Sequence, residues 1–332
     1  MHLFGRQARL FPHWLDRLLP NADIEGAALD RSTRADAGTL GAMGNEITGW
    51  PRLRVADWTD TRNTLHMWTQ IVGKVRMACA PAVNHWWHVT LYPSARGLIT
   101  SAVPHGDGVF DIEFDFVDHR LHVRSSDGRA RDVTLEPKPV ATFYHETLDA
   151  LAALGIEPRI HPVPNEVEQA IPFADDQVHS AYDGAAAQLF WRQLLQAQRV
   201  FERFRSEFVG KASPVHFFWG AMDLAYTRFS GRIAPPHPGG VPNCPPWVMQ
   251  EGYSHELASF GFWPGGGEEG AFYAYAYPEP SGYAERNAAF YDHSLRECLL
   301  PYETVAGSAD PDATLLEFLR STHAAAADLA KW

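Results

Sequence analysis

Basic charge, cysteine and long apolar runs are what this chain has least of. Its formal net charge is −12, with no long basic run. The counterion release that dominates nucleic-acid affinity therefore has no source, and an anionic membrane surface would repel the chain. Neither nucleic acid nor membrane is an expected partner. Cysteine occurs only at Cys79, Cys244 and Cys298, an odd number without CxxC spacing, which argues against a disulfide framework or a thiolate zinc site and for a reducing cytoplasm. No run approaches the roughly 20 apolar residues of a membrane span, and MHLFGRQARLFPHWLDRLLP lacks a signal peptide's apolar core and cleavage site. The expectation is a soluble, unexported protein.

What is present suffices for a substantial core. With 332 residues and 45% hydrophobic content, the chain can build two compact domains or one large domain from two halves. Residues 1–49 read as a loosely ordered N-terminal extension. Leu10, Trp14, Leu15 and Leu18 share one face of a short helix, the stretch after them has no periodicity, and Met43 is the more natural start of the functional fold.

Residues 50–155 read as a first unit. Leu65, Trp68, Val72, Val75 and Cys79 recur at helical spacing behind Asp60 as N-cap. The stretch AVNHWWHVTLY, residues 82–92, reads as a strand. In 110–116, Phe110, Ile112, Phe114 and Phe116 alternate with Asp111, Glu113 and Asp115, a half-buried strand; Arg120, His122 and Arg124 on the next strand explain the acidic row as cross-strand charge pairing. Asp127-Gly128 is a hairpin turn, and a helix follows Pro139 and closes at Gly155.

A Pro-rich connector, 156–182, leads to a second unit, 183–332, in the same order. Asp183 precedes a long helix, SPVHFFWGAMDLAYTRFSG, HELASFGFW and GAFYAYAY supply strands, and a last helix starts at Asp310-Pro311. Gly265-Gly266-Gly267 lacks a phosphate-binding pattern and reads as a hairpin loop. The predicted fold is α+β: two similar helix–antiparallel sheet–helix units in pseudo-twofold arrangement, with a cleft where they meet.

Taken together, WTQIVGKVR, NHWWHVTLY, FDIEFDFVDHRL, SPVHFFWG, RFSGR, YSHE and FYAYAYPEP resemble an uncharacterised bacterial family catalogued as a domain of unknown function. The resemblance covers roughly residues 50–332 and implies no reaction, cofactor or catalytic residue.

Candidate chemistry therefore rests on the residues themselves. In regular pleating His85 and His88 point to opposite faces and cannot chelate one ion together. An imidazole facing the core would be kept neutral by desolvation, ready as base or ligand; a histidine satisfied by one backbone hydrogen bond is the plainer account. Asp223 on an aromatic strand needs a partner, with Arg228 or Arg232 nearest, as a structural ion pair or as part of a clamp for a substrate carboxylate. A two-histidine, one-carboxylate set suited to a divalent ion such as iron or zinc is expected across the cleft from His85 or His88, His216 and His255 or Glu256, with His216, His255 and Glu256 as the candidate metal ligands. Trp87, Trp219, Arg228 and Tyr275 are the candidate substrate contacts. In AFYAYAY the small face either receives a closely packed helix or floors a cavity, and the Pro-rich loop 233–252 is a candidate lid. The expected function is a small-molecule enzyme using His85, His88, His216, Asp223 and His255 in acid–base or single-metal chemistry on an apolar or aromatic substrate. The alternatives are a non-catalytic binder of an apolar metabolite, and a scaffold whose aromatic residues are all core.

Overall fold

In the computed structural model, which describes residues 49–332, the first helix is α1, Val55–Cys79. It begins more than a turn ahead of the expected Asp60 cap. Leu65, Trp68, Ile71, Val72 and Val75 along it are sealed from solvent, as are neighbours outside that stripe. The N-terminal extension, with Leu10, Trp14, Leu15, Leu18 and Met43, lies outside the described residues except for its last position.

Six strands follow: β1 (Tyr92–Pro93), β2 (Gly97–Ile99), β3 (Val103–His105), β4 (Gly108–Asp115), β5 (Arg120–Ser125) and β6 (Ala130–Thr134). They form an antiparallel sheet in the order β1-β2-β4-β5-β6, with β3 also on β4. Period-two alternation puts Phe110, Ile112 and Phe114 in the core. The register sets Asp111 opposite Arg124 and Glu113 opposite His122, and Arg124 bridges Asp111 at 2.7 Å and Glu113 at 2.8 Å. The acidic row is thus paired across strands; Asp115 adds Arg96 from outside the hairpin. Gly128 takes φ 91° in the turn to β6, as a tight hairpin requires. α2, Val140–Ala152, completes this half.

Helix α3, Gly184–Ser206, starts where the Asp183 carboxylate accepts the Ala185 and Ala186 N–H groups at 2.8 and 3.2 Å. The second sheet comprises β7 (His216–Phe218), β8 (Asp223–Ile233), β9 (His255–Trp263), β10 (Ala271–Tyr277), β11 (Tyr291–Asp292) and β12 (Glu297–Pro301), ordered β11-β12-β10-β9-β8-β7. Short helices α4 (Pro246–Gly252), α5 (Tyr283–Arg286) and α6 (Tyr302–Ala306) lie between and after its strands. α7, Pro311–Ala330, is capped by Asp310. The Gly265–Gly267 stretch is the loop between β9 and β10.

The fold is α+β, and helix, sheet, helix occurs in both halves, but the strand orders differ. The similar strings His85-Trp86-Trp87 and His216-Phe217-Phe218, one in each half, also take different backbones. Asn84–Trp86 is a 3-10 turn with His85 at φ 57° and Trp86 at φ 61°, not part of a strand, whereas His216–Phe218 is extended. Alternation of large residues imitated a strand, and left-handed φ at two non-glycine residues has no sequence signature.

Just past that turn Leu91 and Phe217 exchange backbone hydrogen bonds of 2.9 and 2.7 Å, joining the two sheets edge to edge. α3 packs on β1, β2 and β8, and its Phe190 ring meets Trp58, Phe116 and Phe217 at 5.1, 6.5 and 6.2 Å. One hydrophobic core therefore runs through both halves.

On β10 the face carrying Phe272, Ala274 and Ala276 lies under helices: Phe272 meets Phe201 of α3 at 6.2 Å, and α7 crosses the strand. Close helix packing explains the alanines. On the tyrosine face, Tyr273 lies across Gly261, where an added Cβ would stand 2.2 Å from its ring. Gly261→Ala should lower stability by about 1–3 kcal/mol, read as the urea midpoint at unchanged m-value; an unchanged midpoint would contradict this packing.

Candidate functional site

A glycine on α1 creates the space from which the site is built. At Gly73 a Cβ would fall 2.2 Å from the indole of Trp219, so only glycine lets that ring lie against the helix. Trp219 is held there by its Nε1–H donating to the Val89 carbonyl at 2.6 Å. Trp86 is held in turn by donation to the Val248 carbonyl at 3.0 Å, with its ring 5.3 Å from Trp247 on α4. Between these three indoles lies a cavity of about 600 Å³, within the range of small-molecule sites. Met77, Val89, Val163 and Val241 make most of the remaining wall apolar.

The polar part of the wall is small and comes from three segments. Lys74 of α1 is 1% exposed. Its ammonium donates to the Asn165 side-chain oxygen and lies 5.7 Å from the Trp219 ring centroid. Asn165 is itself clamped: its N–H donates to Gln70 Oε1 and its carbonyl accepts from Gln70 Nε2, both at 2.8 Å. Its amide nitrogen reaches the Asn243 carbonyl in the Pro-rich loop, and Asn243 Nδ2 returns a bond to the Val167 carbonyl at 2.8 Å. Connector and loop are thus tied to each other, and the connector to α1, around the lysine.

Behind that wall lie two carboxyl groups. Both oxygens of Glu166 are sealed from solvent with no hydrogen-bond partner among the described residues, and its φ is 63°. Asp223, fully buried, accepts from the Tyr273 hydroxyl at 2.7 Å on one oxygen and has no hydrogen-bond partner on the other among the described residues. Burial pushes Glu166 well above the usual carboxylate range, reinforced by the charge of Asp223 and opposed by Lys74. Burial raises Asp223 to about 7 and lowers Lys74 to about 8. Desolvation disfavours every charged form here, so the Lys74 ammonium gives up its proton more easily than usual and the two carboxyls hold theirs to higher pH. Cys244, also on the wall, is driven the other way from reactivity: burial raises its thiol.

Of the residues expected from sequence to carry catalysis, substrate contact or metal binding, Trp219 alone lines this cavity. The Lys211 ammonium donates to His85 Nε2 at 3.0 Å, so the other nitrogen carries the proton toward the Gly252 carbonyl, also at 3.0 Å. Burial lowers its pKa to about 4. Nδ1 of His88 lies 3.1 and 3.2 Å from the backbone N and O of Val83. His216 is sealed beside Thr90 and the Phe218 ring, and burial pulls its pKa far down. His255 lies 5.7 Å from His85 between ring centroids and bonds to Ser254. Trp87 packs on His85, Phe229 and Lys211 instead of forming cavity wall, and the Tyr275 hydroxyl meets that of Tyr253.

Three expectations need correcting. Arg228 does not pair with Asp223: its guanidinium lies 3.6 Å from the Phe204 ring centroid and donates to Tyr226 Oη and the Phe204 carbonyl. Arg232 is engaged by Glu256 at 2.6 Å. His216, His255 and Glu256 are not brought together, and among the described residues no group of three His, Cys, Asp or Glu side chains is placed to hold a metal ion. A different histidine, His161, reaches the cavity wall.

Residues 50–332 match the model of a family of unknown function, DUF5996. The chain belongs to that family. No curated protein and no solved structure matches it. No helix among the described residues of this DUF5996 chain is long and apolar enough to cross a membrane. Lys74 and Glu166 were missed because neither belongs to a spacing motif. The available signal was α1 itself, where TLHMWTQIVGKVRMAC holds no acidic residue to pair with Lys74.

Asp223 gives the site a pH signature. Its folded-state pKa is raised from 3.8 to about 7, so its stabilising contribution is full below the unfolded value and is lost as pH rises through about 7. Asp223→Asn should therefore gain stability relative to the unsubstituted protein between about pH 4 and 8, by on the order of 4 kcal/mol at most. Paired melting curves check this; a difference independent of pH would contradict it.

Proposed function

We propose that this protein binds a flat, apolar small molecule in the tryptophan-walled cavity, with one polar end directed at Lys74 and Asn165. The observation that carries this reading is the pairing of three indole walls with a single buried cation in about 600 Å³. Aromatic walls supply large contact area with little entropy to lose, and an ammonium in low dielectric orients an acidic or carbonyl group more strongly than it could in water. Histidine-centred chemistry has less behind it, since His85, His88 and His216 are engaged in other contacts and do not line the cavity. A binding role, the alternative to an enzyme in the sequence reading, is therefore the better-supported of the two. The net charge of −12 favours a small ligand over nucleic acid, and the free thiols suit a reducing cytoplasm.

The probe is 2-naphthoate, which carries a flat ring and one carboxylate. It should quench tryptophan fluorescence saturably at one equivalent. Val163→Trp, which fills the cavity, should abolish binding at unchanged melting temperature, and Lys74→Met should weaken it about tenfold or more, the loss of roughly 1.4 kcal/mol. Absence of binding, or binding indifferent to Val163→Trp, would contradict the proposal.

A further inference from the structure

Lysine occurs only at positions 74, 138, 211 and 331, and the one placed on the wall of the cavity is the one that is 1% exposed. Its nitrogen has an amide oxygen as hydrogen-bond partner, not a carboxylate. Carboxyl oxygens with no hydrogen-bond partner among the described residues stand close enough to act on it electrostatically, those of Glu166. A lysine kept only to neutralise a buried charge would be expected in a direct ion pair. This one faces an apolar cavity instead, with a sealed acid close by.

We infer that Lys74 is a covalent capture residue, forming an imine with an aromatic or otherwise apolar aldehyde or ketone seated in the cavity, with Glu166 as the proton donor. The inference deepens the binding proposal and rests on it. In the first step the unprotonated Lys74 Nζ attacks the carbonyl carbon. The π electrons pass to oxygen, which takes the proton that nitrogen gives up, and a neutral carbinolamine results. In the second, the Glu166 carboxyl protonates the hydroxyl, which departs as water while the nitrogen lone pair closes the C=N bond. The products are a protonated imine and a Glu166 carboxylate, so the buried charges appear as a neutralising pair. No oxidant, reductant or metal is consumed. Apolar walls disfavour the ammonium and so favour the attacking form, and Trp219 beneath the amine offers a π face to the cationic product. Cys244 does not compete, because its thiol is held protonated.

The test is borohydride trapping with 2-naphthaldehyde at neutral pH on the full chain, with peptide mapping of the secondary amine. An amine titrating near 8 has on the order of a hundredfold more unprotonated form at pH 7 than one at the ordinary 10.5. Lys74 should accordingly be labelled at least about tenfold ahead of Lys138, Lys211 and Lys331, excess 2-naphthoate should protect it, and Glu166→Gln should slow its labelling about tenfold or more. Lys74 left unlabelled while 2-naphthoate still binds would overturn the imine and leave the binding site standing. Failure of both would overturn the two together. Labelling that begins at Lys138, Lys211 or Lys331 would also overturn the inference.

Discussion

A lysine amine enclosed by the protein and held by a neutral amide oxygen sets the terms for the whole site. Removing an ammonium from water costs several kcal/mol, and Asn165 offsets only part of that with its side-chain oxygen. The surroundings are organised to keep that oxygen in place. Gln70, one turn earlier on α1, grips both backbone groups of Asn165, and the Pro-rich loop holds Asn165 and Glu166 from the other side through the Asn243 and Pro242 carbonyls. Loosening any of these would admit water and return Lys74 toward an ordinary surface amine. The proline-stiffened loop is therefore less a cover than one jaw of the clamp, and it also carries Trp247 to the cavity rim.

The fold delivers these segments from well-separated parts of the chain. The edge-to-edge junction at Leu91 and Phe217 puts the 84–88 turn beside the residues that follow β7. Trp86, Val89 and Trp219 consequently wall one space although they belong to different halves. α3 crosses the junction and ties both sheets to one core, which keeps the walls rigid relative to each other. The histidines attributed to chemistry from sequence do structural work here: His85, with Glu251 and Lys211, pins a turn whose two left-handed residues would otherwise be strained.

Much of the architecture was legible in sequence because it rests on local rules. Asp183 and Asp310 mark helix starts, Asp127-Gly128 marks a hairpin, and alternation from Phe110 to Asp115 marks a strand whose Asp111 and Glu113 are answered by the arginine of the next, although Glu113 and Asp115 lie buried as well. The site was far less legible. Lys74 reads as one polar residue on a helix, and nothing local says that the helix is buried all round over residues 67–76. Glu166 and Asn165 sit in a connector with no periodicity, and meet α1 only through contacts spanning 91 and 95 residues of chain. The turn at His85 failed for the opposite reason: its pattern was legible and misleading, since alternating bulk looks the same whether a strand or a kinked turn presents it. Residue types with familiar reactivity drew the reading to histidine, while burial, which sequence does not report, is what sets Lys74 and its neighbouring acids apart from surface residues of the same type.

The central claim is that Lys74 is enclosed and easily unprotonated. NMR of protein labelled at lysine ¹³Cε tests it directly, because only Lys74, Lys138, Lys211 and Lys331 contribute signals and Lys74→Met assigns the one in question. The Lys74 signal should titrate near 8 and move when 2-naphthoate is added. A Lys74 midpoint at the ordinary 10.5 would contradict the account.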